Sequence, residues 1–282
     1  MPVRTLPYLL LAPATFFLLA FFLYPFALVA WQAIATDEGV LTTQYLSKMA
    51  GHWKFDTALS NTFWLVAAVV PIQVALSLLM ASLVTSMGRG RDIVLYIWTI
   101  PLGISDLAAG LIWLAIFEQT GFLNSLLVGV GVIDQPETFL GYQNKGTIFL
   151  AVVLAEIWRA TAIMLVILVA GMGLIPKEYD EAAQVFGASR WQRFRRVTLP
   201  LLKPSLQTAL ILRVILAFEV FAVVAALGGT NLPVLMGEVY NRQFELRDGN
   251  VAAAFALLIL VISLAFTLLI MWALRTPKEA RL

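Results

Sequence analysis

Six stretches of this chain stay apolar over the length of a bilayer-crossing helix: about 7 to 34, 58 to 87, 92 to 118, 147 to 174, 204 to 228 and 250 to 274. Crossing the hydrocarbon takes about 20 mostly apolar residues of helix, because lipid satisfies no backbone N–H or C=O and the helix satisfies its own. Each stretch therefore predicts a span. Composition agrees, since 61% of the 282 residues are hydrophobic and 13% charged, too little polar surface to clothe a water-soluble globule. The first run contains an A-x-A pattern at Ala33 and Ala35. Its apolar length exceeds the roughly 7 to 15 residues of a signal-peptide core, so it reads as a retained helix. Pro25, Pro71 and Pro101 lie inside spans and read as kinks rather than ends.

Lys and Arg set the orientation. With the N-terminus inside, the inner set is Arg4, Arg89, Arg91, Lys177, Arg190, Arg193, Arg195, Arg196, Lys203, Arg275, Lys278 and Arg281, against Lys48, Lys54, Lys145, Arg242 and Arg247 outside. This asymmetry places both termini in the cytoplasm. The net charge of +2 is explained by membrane topology, and no nucleic-acid partner is expected. There is no cysteine, which excludes disulfides and thiolate chemistry. The outer segments 35 to 57, 119 to 146 and 229 to 249 read as short ordered connections. One membrane domain, 1 to 282, is expected.

The longest inner polar segment, residues 178 to 200, parses into two short helices. Pro176 suits a first turn, and Glu178, Asp180 and Glu181 suit the positive end of the helix that follows. Gly187 ends it. Ser189 with Gln192 three residues on makes a capping-box pattern for a second helix, which carries Arg193, Arg195 and Arg196 and is stopped by Pro200. Ala182, Ala183, Val185, Phe186, Trp191 and Phe194 are apolar residues that need something to cover them. Two coverings are open: the chain's own bundle with lipid headgroups, or a soluble partner.

Inside the spans, ionisable residues are costly, about 2.5 to 3.5 kcal/mol each on insertion scales, and belong against a wet cavity or one another. Asp106, Glu156, Arg159, Arg213 and Glu219 are the five such residues. They form either a buried ion-pair network holding spans three, four and five together or part of a ligand path. Carboxylates would accept from hydroxyls, and the two arginines would clamp an anionic group. His52, the one histidine, sits in an outer segment with no neighbouring ligand set, so neither catalysis nor metal binding is expected of it. No nucleophile–base constellation is present. Nor is there a phosphate-cradling G-x-x-x-x-G-K-[ST] loop, since the nearest approach, Gly141 to Thr147, puts Lys145 before its glycine.

Glu181-Ala182-Ala183, then Gly187, then Val197 and Leu199-Pro200 resemble the E-A-A, three residues, G, nine residues, I-x-L-P loop of permease subunits from bacterial ATP-binding-cassette importers. The likeness extends along most of the chain and is similar to the maltose-type carbohydrate permeases. It runs through Ser60-Asn61-Thr62, Ile100-Pro101, Gly110-Leu111-Ile112-Trp113, Ile157-Trp158-Arg159, Ile175-Pro176-Lys177-Glu178, Leu199-Pro200-Leu201-Leu202 and Ala217-Phe218-Glu219-Val220-Phe221. The resemblance implies an all-α fold of six transmembrane helices, the type I importer membrane domain, in the bacterial inner membrane. It makes the loop at about 175 to 203 the coupling helix, with Glu181 on the polar side of the joint and Ala182, Ala183 and Gly187 in close helix contact. It further implies a second homologous permease subunit, two cytoplasmic ATPase subunits that use the ATP and Mg, and an extracytoplasmic substrate-binding protein. This chain itself would bind no cofactor and would not be an enzyme.

The same resemblance puts a sugar path at Leu102, Asp106, Glu156, Arg159, Ala160, Ile163, Arg213, Ala217, Glu219 and Val220. Leu102, Ile163 and Ala217 are apolar where that family type uses aromatic or amide side chains, so a maltodextrin is not the expected cargo. A neutral glycoside and a phosphorylated or sulfonated polyol both remain open. The rival reading is an ion-coupled secondary transporter or channel with Asp106 or Glu156 as its proton or cation site.

Overall fold

Backbone that must satisfy itself forms helices, and the computed structural model, which describes residues 6–36 and 38–275, is helical almost throughout. The only extended pairing among the described residues is an isolated antiparallel bridge between Ala35 and Leu41. Five helical segments are long and apolar enough to cross a membrane: Tyr8–Ile34, Phe55–Ser86, Asp106–Gly129, Lys145–Gly173 and Gly249–Ala273. A sixth span results if the pair Arg190–Leu201 and Lys203–Phe218, bent by 70°, counts as one crossing. Arg4, Lys278 and Arg281, used above for orientation, lie outside the described residues.

Proline behaves differently at the three positions read as kinks. Pro71 sits inside one unbroken helix, Phe55–Ser86. Ahead of Pro25 the helix widens into a π-turn over Leu19–Leu23, a local adjustment around the missing N–H. Pro101 departs from expectation and ends its helix. The run expected as a single span from 92 to 118 is Arg91–Thr99, a 3-10 turn Ile100–Gly103 and a new helix, Asp106–Phe117. Extended backbone at Ile104 and Ser105 separates them, and the Ser105 hydroxyl accepts from the Ala108 amide as a proper N-cap. The fifth run also divides. Lys203–Phe218 stops short of Ala222–Leu227, with Glu219 and Phe221 out of helical geometry between them.

The described chain forms two compact units. One comprises the described residues up to Asp56 with Leu235–Val261. In it Phe55 packs against Phe255 with ring centroids 6.0 Å apart. His52 approaches the buried Glu238, Nδ1 to Oε2 3.8 Å.

The other unit comprises Thr57–Val234 with the described residues from Ile262. Its interior has two apolar clusters, one around Leu65, Val69, Ile148, Val152 and Val223, the other around Ala81, Val84, Met164, Leu168 and Leu206. Small residues set the closest helix approaches. A Cβ built on Gly110 would stand 2.7 Å from the Ala226 Cβ, and one on Gly171 would stand 2.3 Å from the Ser205 Oγ, so both glycines are needed for packing. The segment 119 to 146 is ordered as expected: Asn124 donates to the Glu137 carbonyl (2.8 Å) and accepts from the Glu137 amide (2.9 Å).

Candidate functional site

Two features of the larger unit answer to the residues singled out above. The first is the hairpin after the Lys145–Gly173 helix. Lys177–Val185 forms its first helix, and Gly187, with φ +75°, turns the chain in a conformation that a side chain would strain. The capping box closes as expected, with Ser189 Oγ accepting from the Gln192 amide and Gln192 Oε1 accepting from the Ser189 amide. Asp180 then ties the two arms together, 2.6 Å from Arg193 Nη1 and 2.8 Å from Gln184 Nε2.

Pro200 does not stop the second helix. Arg190–Leu201 runs through a π-turn at Phe194–Thr198 and past Pro200, which sits at a first-turn position of its last helical segment, and the bend comes at Leu202. Phe194 packs into the second apolar cluster. Val185 and Phe186 do not: they are 85% and 89% exposed, on a hairpin tied by the Asp180 to Arg193 ion pair. Glu181 and Ala182 are exposed too, and Ala183 is half-buried. A side chain on Gly187 would meet no atom of this chain, so the constraint on Gly187 within the chain is its φ angle rather than space.

The second feature is a charge cluster joining four helices. Arg213, from Lys203–Phe218, lies 2.8 Å from Glu156 on Lys145–Gly173, and their side chains are 1% and 2% exposed. One turn along, Arg159 reaches Asp106 at 2.8 Å and Glu156 at 3.7 Å. Asp106 is at the first turn of its helix, where the backbone dipole favours a carboxylate, and its side chain is 51% exposed. The network reading of the intramembrane charges is thus realised for Asp106, Glu156, Arg159 and Arg213. Glu219 is not among them; it sits exposed at the break after Phe218.

Gln73 is a member that charge counting missed. Its Oε1 accepts from Arg213 Nε and its Nε2 donates to the Glu156 carbonyl at 2.7 Å, which brings the Phe55–Ser86 helix into the cluster. The signal was an amide in an otherwise apolar stretch, two residues after Pro71. The remaining expected path residues divide by position. Leu102 is exposed in the 3-10 turn, Ala160 is buried, Ile163 packs on the second apolar cluster, and Ala217 and Val220 are buried. Glu156, Arg213, Ala217 and Val220, with Leu65, Val69 and Val152, line a cavity of about 10 Å3. That volume takes about one water molecule and no sugar.

Known proteins place this architecture. Residues 73–276 match the family model described as "Binding-protein-dependent transport system inner membrane component". The chain belongs to this family. The chain is also 30% identical to the trehalose/maltose transport system permease protein MalF of Thermococcus litoralis, over 93% of its own length and 91% of the relative's. Among solved structures, a bacterial ABC transporter importing the acidic polysaccharide alginate superposes with a TM-score of 0.83 at 21% identity, over 96% of both chains. The same type of transporter in complex with an alginate pentasaccharide-bound periplasmic protein matches with a TM-score of 0.79 at 22% identity, over 95% of this chain and 93% of that one. The fold is that of an importer membrane subunit, and the chain is the inner-membrane permease component, not the ATPase. Among the described residues no group of three or more His, Asp or Glu stands ready for a metal ion.

Proposed function

We propose that this chain, as one membrane domain over 1 to 282, is half of a permease pair in an ATP-driven carbohydrate importer. A second, homologous permease subunit completes the pair. Two cytoplasmic ATPase subunits, which use the ATP and Mg, dock on the hairpin at about 175 to 203, and an extracytoplasmic binding protein delivers the sugar. Both termini face the cytoplasm. ATP-driven closure of the ATPase pair carries the hairpin with it and opens the spans outward to receive cargo; hydrolysis resets them.

The observation that carries this reading is the hairpin itself: two nearly naked apolar side chains, Val185 and Phe186, on a clamped and capped turn beside Glu181, Ala182 and Ala183. Burying an apolar side chain of that size is worth about 1.5 to 3 kcal/mol, which suits it as an anchor in a partner's cleft. Ala182 is the informative position to mutate. It is exposed, so Ala182→Trp should leave this chain's fold intact, whereas any side chain at Gly187 would strain the turn as well. The expected result is loss of the ATPase subunits on co-purification with the permease pair still assembled. Retention of the ATPase subunits with wild-type uptake would remove the coupling role.

For the cargo, the relatives' substrates support a saccharide, and the charge cluster narrows the class. Arg213 is already committed to Glu156 and Gln73, so a clamp using both arginines is not at hand. The half-exposed Asp106, with its ion-pair partner Arg159, is left at the open end of the cluster, alongside Leu102. That pairing suits a neutral, hydroxyl-rich glycoside, with Glu156, Arg213, Ala160, Ile163, Ala217, Glu219 and Val220 shaping the path. Stimulation of the reconstituted complex's ATPase by its binding protein should respond to neutral glycosides. A response confined to anionic sugars would instead assign Arg159 to an acidic group.

A further inference from the structure

Three buried polar atoms of the charge cluster have no hydrogen-bond partner in the protein, Glu156 Oε1, Arg159 Nε and Arg213 Nη1, and the first and last belong to the two most deeply buried side chains. Both side chains are almost wholly enclosed, and Arg159 Nη2 stands 3.7 Å from Glu156 Oε1, beyond hydrogen-bonding distance. An orphaned carboxylate oxygen or guanidinium N–H in the interior carries a desolvation penalty that a native site does not leave standing. Glu156 and Arg213 also line the cavity of about 10 Å3, the size of a single water probe. Its other walls, Leu65, Val69, Val152, Ala217 and Val220, offer no side-chain donor or acceptor. The residues that carry the orphaned acceptor and the orphaned donor thus share the wall of one water-sized space.

We propose that a single water molecule is a resident part of this permease, donating to Glu156 Oε1 and accepting from Arg213 Nη1. The direct Arg213 to Glu156 contact uses Nη2 and Oε2, and Arg213 Nε is given to Gln73, so the water completes the two groups' inner hydrogen bonds without displacing a protein contact. It also keeps both charges tolerable at membrane depth, where a half-satisfied network costs more than an apolar core. Glu156 stays fixed as the second neighbour of Arg159, and the exposed Asp106 is left as the movable end of the chain of charges. The site holds whatever the transporter carries, because all its ligands come from this chain.

Density at high resolution for the intact importer complex is the direct test, with a peak expected within about 2.6–3.2 Å of both atoms. No density at that spot, in a map that resolves other buried waters, would overturn the proposal. So would Glu156 and Arg213 turned to pair through both oxygens and both nitrogens. A second measurement uses Val152→Ile and Val69→Ile, each of which adds one carbon at the cavity wall. If a bound water is displaced, the thermal midpoint of the purified complex falls below wild type and the density disappears in the variant map. A raised midpoint would mark the cavity as a dry void and end the proposal. A lowered midpoint with no water in the wild-type map would be overpacking, and would end it too.

Discussion

Arg213 and Asp106 both sit in ion pairs of 2.8 Å, yet their surroundings predict opposite behaviour on substitution. Arg213→Leu leaves Glu156 buried with only the longer 3.7 Å contact to Arg159 and should destabilise by about 3 kcal/mol, the lower end of the cost of breaking a buried pair. Glu156→Gln strands Arg213 in the same way. Asp106→Asn breaks a half-exposed pair, for which about 0–1 kcal/mol is the ordinary range. Thermal denaturation of the purified complex checks the contrast; equal losses would mean that the cluster is not divided into a buried core and an accessible end. His52 gives a prediction in pH. Burial, reinforced by the Arg242 and Lys54 cations, holds its imidazole below the ordinary range, while Glu238 pulls the other way more weakly. The folded state therefore binds the proton less readily than the unfolded chain does. Its contribution to stability is present above the ordinary imidazole value of about 6.5 and is lost as pH falls through the lower folded value. Stability measured through a probe near Phe55 should decline over that acid window, and His52→Gln should flatten the decline.

At the level of elements, the periodic and apolar runs were legible because lipid allows so few alternatives to helix, and the capping box at Ser189 and Gln192 was legible because its chemistry is local. What was hidden depends on which neighbour is present. Pro71 and Pro101 look alike in sequence, but Pro71 is followed by no glycine or capping residue in the next turn, whereas Pro101 is followed by Gly103 and by Ser105, a ready cap for a new helix. Pro200, expected as a stop, is carried within the helical run because a proline in the first turn of a helical segment loses no needed N–H. The partnership of Gln73 with Arg213, 140 positions apart, and the contact of His52 with Glu238 are tertiary and carry no local signature. Packing at this scale yields a direct test. Gly171→Leu places carbon where Ser205 stands and should break the approach of the Lys145–Gly173 and Lys203–Phe218 helices, a loss well above the roughly 1 kcal/mol expected for Ser189→Ala at the exposed cap. Yields of folded complex after detergent extraction, compared between the two variants, would report it.

For the molecule as a whole, the larger unit carries two distinct chemistries: a hairpin that presents Val185 and Phe186, and a four-helix charge cluster whose more exposed end is Asp106 with Arg159. The account joins them as input and output of one transport cycle, with energy entering through the hairpin from ATP and cargo meeting the cluster. The alternative energy source, an ion gradient acting on Asp106 or Glu156, makes a different demand, because a carboxylate that takes up and releases a cation must be free to change partners. Glu156 is held by Arg213 and, through its backbone carbonyl, by Gln73. The measurement that separates the two is uptake of a labelled neutral glycoside into proteoliposomes holding the full complex and its binding protein. The account predicts uptake that requires ATP inside the cytoplasmic compartment, survives ionophores and is abolished by Ala182→Trp. Uptake that proceeds without ATP and collapses when the ion gradient is dissipated would contradict it.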